Sequence, residues 1–124
     1  MAPFTSQELR KGFASFATGV TVITCIDEDR NPHGITISSF NTVSLSPPLI
    51  LWSIGNQSDL KEYFGIGKRQ LIHVLEANQK EIALVFAKQI KKDIHELNHA
   101  ITPNGLCRLA NCSAYYECET VVIH

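Results

Sequence analysis

The chain has no excess of either charge: eleven Lys and Arg stand against twelve Asp and Glu, for a formal net charge of −1. That balance argues against binding nucleic acid or an anionic membrane surface through bulk positive charge. Long apolar runs are missing too. The longest, Ile82 to Ala87, falls far short of the roughly 20 residues a spanning helix needs. The first residues, Met1-Ala2-Pro3-Phe4-Thr5-Ser6, have no basic start and no apolar stretch after it, so no secretory signal is read and a cytoplasmic protein is expected. The four cysteines, Cys25, Cys107, Cys112 and Cys118, form no Cys-x-x-Cys pair, and free, mostly buried thiols suit a reducing compartment better than disulfides or a metal. No repeat, low-complexity tract or linker divides the chain.

What is present suits one domain over residues 1–124: 44% hydrophobic and 19% charged residues are enough to build a core without staples. Thr5-Ser6-Gln7-Glu8 reads as a capping box, and Leu9, Phe13 and Phe16 give the following helix one apolar face. Val20 to Ile26 is rich in β-branched residues and predicts a strand, followed by a polar turn from Asp27 to Pro32. Gly34 to Phe40 alternates with a period of two, which places Ile35 and Ile37 on one face and Thr36 and Ser38 on the other. Further strands are expected at Leu49–Ile54, Arg69–Leu75 and Ser113–Ile123, with Pro47-Pro48 as a break, a short helix capped by Ser58, and a second helix over Gln79–Lys88. An irregular stretch leads from that helix to Gly105. The pattern predicts a mainly β fold, a small antiparallel barrel with helices packed outside, and not a doubly wound βαβ sheet.

Three patterns could carry chemistry. His95-Glu96-Leu97-Asn98-His99 spells H-E-x-x-H; on a helix its imidazoles would share a zinc and Glu96 would act as base, as in a zinc peptidase. Pro103 and Gly105 cut any such helix short, and the third ligand would have to be Glu117 or Glu119 from a strand, so no metal residue is assigned. Gly65-Ile66-Gly67-Lys68 fails as a phosphate loop, because Arg69 follows where Ser or Thr is needed. The hydroxyl-rich run Thr36, Ser38, Ser39, Asn41, Thr42, Ser44 and Ser46 is either a solvated strand face or the polar rim of a pocket for a flat ligand.

Four blocks decide between these. Phe13 to Thr24, Pro32 to Phe40 with Val43 to Leu49, Val74 to Gln79 with Ile82-Ala83 and Phe86-Ala87, and Gly105, Leu109, Ala110 with Tyr116-Glu117-Cys118 together resemble the flavin reductase-like family of FMN-binding split barrels. The resemblance spans nearly the whole chain. It implies an antiparallel FMN-binding split β-barrel that pairs into a homodimer and binds FMN, or FAD, with NAD(P)H as electron donor. Such proteins supply reduced flavin to a flavin-dependent monooxygenase. Carried over residue by residue, Thr36, Ile37, Ser38 and Ser39 would meet the ring and ribityl chain. Ser53, Ile54 and Ser58 would follow the ribityl-phosphate side, with Arg69 as a further phosphate contact, and Gln79 would lie near the ring's polar edge. No acid–base pair is implied, since the cofactors carry the chemistry. Trp52 is bulkier than the usual aliphatic residue and is expected in the core, and His73 stands for a common asparagine. Family members also continue beyond the strand that here ends at His124, so an incomplete barrel is expected, either a truncated copy or one whose open edge a partner covers. The alternatives are a non-catalytic FMN-binding or electron-carrier module, a dimerisation module and, more remotely, the zinc peptidase.

Overall fold

The computed structural model describes residues 20–124; the predicted first helix, with its Thr5–Glu8 capping box, lies outside them. The central strand β1 (Thr21–Ile26) is buried on both faces over most of its length. It therefore carries apolar residues in adjacent pairs, Val22-Ile23 and Cys25-Ile26, instead of strictly alternating them with polar ones. Its two buried hydroxyls each find a carbonyl: Thr21 Oγ1 donates to Ile37 O at 2.8 Å and Thr24 Oγ1 to Cys107 O at 2.7 Å. A buried hydroxyl without such a partner would cost about 1–3 kcal/mol.

On one side β1 pairs with β2 (Pro32–Ile37), on the other with β5 (Arg69–Val74), and β5 pairs in turn with β8 (Ala114–Glu119), giving the antiparallel order β2-β1-β5-β8. The β1–β2 turn follows from Asp27, whose Oδ1 accepts from the amides of Asp29 and Asn31 at 2.9 Å each, an Asx-type turn. Two separate hairpins flank the sheet. β3 (Asn41–Leu45) pairs with β4 (Pro48–Leu51), with a bulge between Thr42 and Ser44, and β6 (His99–Ile101) pairs with β7 (Cys107–Leu109).

Several boundaries differ from the sequence reading, each for a local reason. Pro48 opens β4 instead of breaking the chain; a hairpin strand tolerates proline at its first residue, where a missing N–H costs no ladder bond. The second helix, α1 (Lys80–Phe86), stops before Lys88, whose φ of 60° is left-handed. A capping box links Glu76 and Gln79 in the 3-10 turn that precedes α1. The irregular stretch before Gly105 contains a 3-10 turn at Ile94–Glu96 and strand β6, which pairs with β7 just beyond Gly105. Short strands with few apolar residues leave little periodicity to detect.

Two apolar clusters cover the two faces of the sheet. Val20, Val22, Leu75, Ala83, Val85, Phe86, Leu97 and Leu109 form one under α1. Ile23, Cys25, Ile37, Phe64 and Ile72 form the other, with Trp52 and Ile54 packed against it. Trp52 meets Phe64 edge-on with ring centroids 4.9 Å apart, the core role expected of it. The fold is mainly β with few helices and belongs to the antiparallel split-barrel class; among the described residues the sheet is not closed. All four cysteines are free thiols. Burial, assisted by the nearby Asp27 carboxylate, pushes the Cys25 thiol up to about 12. No helix of the described residues is long and apolar enough to cross a membrane.

Candidate functional site

The strand alternation places Thr36 and Ile37 on opposite faces, but neither face is simply solvated. Ile37 is buried in the second cluster. Thr36 faces α1, where its Oγ1 donates to Ala83 O at 2.6 Å. Two residues before it, Gly34 lies against the Phe86 ring so closely that a Cβ there would overlap the ring. α1 is thus docked on β2 by one hydrogen bond and one close approach of ring to backbone.

Past the end of β2 the chain turns outward and exposes Ser38 and Ser39. Past the end of β4 it exposes Ser53 and half-buries Ile54. The structure joins these two segments, distant in sequence, through one side chain. Ser39 Oγ accepts from Ser53 N at 2.9 Å and lies 3.4 Å from Ser53 O, to which it donates. Ile37, Ser38, Ser39, Ser53 and Ile54 therefore form one rim, hydroxyl-bearing above and floored by the cluster that holds Ile37, Trp52 and Ile54. The β3–β4 hairpin between them exposes Val43, Leu45, Leu49 and Leu51.

Three other expected residues stand apart from that rim. Ser58 lies in the next turn, where its amide bonds Gly55 O at 3.0 Å and its Oγ accepts from Leu60 N at 3.3 Å. The expected short helix is a 3-10 turn that begins later, at Lys61. Gln79 is buried with both ends of its amide engaged: Oε1 accepts from Glu76 N at 2.8 Å and Nε2 donates to Ala110 O at 2.9 Å. Arg69 is turned across β8 to Glu117, at 3.4 Å; the same carboxylate oxygen accepts from Asn104 at 2.7 Å.

Sequence reasoning missed a cluster at the opposite end of β2. His33 Nε2 bonds Asp27 Oδ2 at 2.9 Å, and the imidazole stacks on Tyr63 with 12° between the planes. The bonds from His33 and from the Asn31 amide hold the Asp27 carboxyl below its usual range. The Pro-His-Gly spelling carries no hint of this, because Tyr63 comes from a distant turn. The H-E-x-x-H segment is not helical: His95 lies in the Ile94–Glu96 turn and His99 opens β6. The one-face geometry of a peptidase zinc site is therefore not formed. Gly65 to Lys68 is a tight turn tied to the end of β8, with Gly67 N on Thr120 O at 2.9 Å and Thr120 N on Lys68 O at 3.0 Å.

Known proteins share this sequence pattern and fold. The family model for the flavin reductase like domain matches residues 13–124. The stachydrine N-demethylase reductase subunit Stc3 of Rhizobium meliloti is 33% identical over 116 residues, which make up 94% of this chain and 50% of that protein. The FMN reductase (NADH) SmoA of Agrobacterium fabrum is 33% identical over 119 residues, 96% of this chain and 67% of that one. The NADH:FAD oxidoreductase SgcE6 of Streptomyces globisporus, solved with NAD and FAD fragments, superposes with a TM-score of 0.73 at 31% identity, covering 96% of this chain and 72% of that one. The chain spans 37% to 50% of the length of three of the curated relatives it matches. A match across nearly all of the chain, in sequence and in fold, places it in the flavin reductase-like domain family.

Proposed function

We propose that the chain is the flavin-binding unit of an NAD(P)H:flavin oxidoreductase that hands reduced flavin to a partner monooxygenase, and that it works as a cytoplasmic homodimer. The whole of residues 1–124 acts as one domain in this reading. The supporting observation is the Ser39–Ser53 clasp, which unites the segments after β2 and β4 into a single rim in a chain of this family. Relatives named as an FMN reductase using NADH and as a reductase subunit of an N-demethylase support the donor and the kind of partner.

The residues present fit a flavin. A ring of that kind needs an apolar surface for its face and hydrogen-bonding groups for its edge, and the rim offers both. Bound FMN, or FAD, would supply the hydride-accepting ring system, and the nicotinamide the hydride. The protein's part is binding and orientation. Ile37, Trp52 and Ile54 give an apolar floor that keeps water from below. Ser38 and Ser39, exposed at the end of β2, offer hydroxyls and main-chain amides to the polar edge. Ser53 and Ile54 would run along the ribityl chain, with Ser58 in the turn beyond. Thr36 and Gln79 act through α1 and the Ala110 turn as positioning residues that hold the rim's backbone still. Stacking two rings at about 3–3.5 Å asks for that rigidity more than for an acid or base.

A fluorescence titration of FMN with the purified chain tests this, followed by NADH oxidation at saturating flavin. Saturable quenching near one flavin per chain, with NADH oxidised, is the expected result. Quenching without oxidation would leave a flavin-binding or electron-carrier module. No quenching at high micromolar protein would overturn the flavin reading altogether.

A further inference from the structure

Although His95-Glu96-Leu97-Asn98-His99 forms no helix, its two imidazoles do meet. Their ring centroids lie 6.0 Å apart, with 61° between the planes. Imidazole nitrogens bind zinc-like ions at roughly 2.0–2.1 Å, so two rings on one ion have centroids about 5–6 Å apart from tetrahedral to wider angles. The observed spacing falls at the wide end of that range, and a small swing of the exposed His95 side chain closes it.

The second observation concerns tautomers. His99 Nδ1 lies 2.7 Å from Leu97 O. A carbonyl only accepts, so Nδ1 carries the proton and the lone pair is left on Nε2. An imidazole held by a carbonyl through one nitrogen while the other stays free is the usual arrangement of a metal-binding histidine. The main chain is held as well, since Asp93 Oδ1 accepts from His95 N at 2.9 Å and Leu97 between the two histidines is buried.

We propose that His95 and His99 together bind an exchangeable divalent transition-metal ion of the class that favours imidazole, such as Ni²⁺, Cu²⁺ or Zn²⁺. Among the described residues no third His, Cys, Asp or Glu completes a set, so water fills the other positions and the site is open and moderate in affinity. It is neither a peptidase centre nor part of the flavin rim, and the proposal is independent of the flavin reading. The ion would tie the Ile94–Glu96 turn to the start of β6. Binding raises the folded state's stability to the extent that the folded pair holds the ion more tightly than the same two histidines, four residues apart, do in the unfolded chain.

Isothermal titration calorimetry of NiCl₂ into the whole chain, in a non-coordinating buffer with a phosphine reductant, tests this alongside H95A and H99A. One equivalent should bind in the micromolar range, with affinity roughly tenfold or more weaker in either variant. Melting temperature should rise with nickel in the parent chain alone. No saturable binding up to millimolar nickel would overturn the site, and so would equal affinity in H95A, which would put the ion elsewhere, for instance on a thiol. Should H99A fold poorly through loss of its bond to Leu97 O, the exposed H95A decides by itself.

Discussion

The main sheet and the β3–β4 hairpin solve opposite problems with similar residues. In the sheet, Thr21, Thr24 and His73 are fully buried, and every polar atom they carry has a protein partner. At the hairpin and its flanks, Ser38, Ser39, Thr42 and Ser53 are exposed, beside apolar side chains as bare as Leu45 at 91%. Polar groups in the first region are consumed by the fold. In the second they are held in place with capacity to spare, which is what a binding rim requires. Stability should therefore respond to substitutions in the sheet, and ligand affinity to substitutions at the rim.

His73 gives the sharpest way to break the sheet. Its Nδ1 donates to Val22 O at 2.9 Å and its Nε2 accepts from Leu109 N at 3.0 Å, so one neutral ring joins β5, β1 and β7. Replacing His73 by Ala strands two buried backbone groups and leaves a cavity, and should cost about 2–4 kcal/mol in a urea melt. His73→Asn restores the reach to Val22 only and should fall between the two. A cost below about 1 kcal/mol for the alanine variant would mean that water enters and replaces both bonds.

The same ring makes stability depend on pH. Burial lowers the His73 pKa, with the bond to Val22 O working the other way. Protonation would force a second N–H against the Leu109 amide. The unfolded chain therefore takes up the proton first on acidification. The neutral ring's contribution is complete above the unfolded value near pH 6.5 and is lost progressively as pH falls from there towards the folded value. The slope from this group is at most about 1.4 kcal/mol per pH unit. Urea melts between pH 7.5 and 5 should show that slope in the parent and its absence in His73→Asn; identical profiles would assign acid sensitivity elsewhere.

Gly34 tests the docking of α1 on β2. A Cβ there overlaps the Phe86 ring, and Phe86 is itself core, so the ring has little room to retreat. Gly34→Ala should cost about 1–3 kcal/mol as overpacking. The double change with Phe86→Leu should recover part of it, and failure to do so would place the strain in the strand.

How much of this was readable beforehand follows from which residues lie near their partners in sequence. The β-branched run of β1, the alternation of β2, the Asp27 turn and the second helix are local signals, and the four family blocks carried the family and the fold class. The commitment of Thr36 to Ala83 O, of Gln79 to Glu76 and Ala110, and of His73 to two other strands was not readable. In each case the partner is a backbone group, and a backbone carbonyl or amide has no letter in the sequence. The hydroxyl run after Gly34 accordingly read as one face, whereas the fold divides it between a half-buried dock and an exposed rim. The β6–β7 hairpin was missed because three-residue strands show no period.

At the rim itself, Ser39→Ala removes the hydroxyl that clasps Ser53. Water can replace that bond to the exposed amide, so stability should change by less than about 0.5 kcal/mol. The two segments would lose their fixed spacing, and FMN affinity should fall by about five- to tenfold, the value of roughly one hydrogen bond. A large stability loss with affinity unchanged would move Ser39 into the first region and remove the distinction between rim and sheet.

Arg69 sharpens the comparison from the other side, with the smallest effect. It opens β5, at the end of the main sheet, and its exposed guanidinium meets the partly exposed Glu117 carboxylate at 3.4 Å. Exposed pairs of that length contribute little, so Arg69→Ala should alter stability by less than about 0.5 kcal/mol. The pair also decides whether Arg69 serves as the phosphate contact that the family resemblance implied. The guanidinium faces a carboxylate that Asn104 shares, and it would have to turn away from it to meet a phosphate. The ratio of FMN to riboflavin affinity, which isolates the phosphate, should accordingly stay within about twofold in Arg69→Ala. A selective loss of FMN binding would show that the arginine leaves Glu117 when the ligand comes, and that the rim draws on the sheet for its charge.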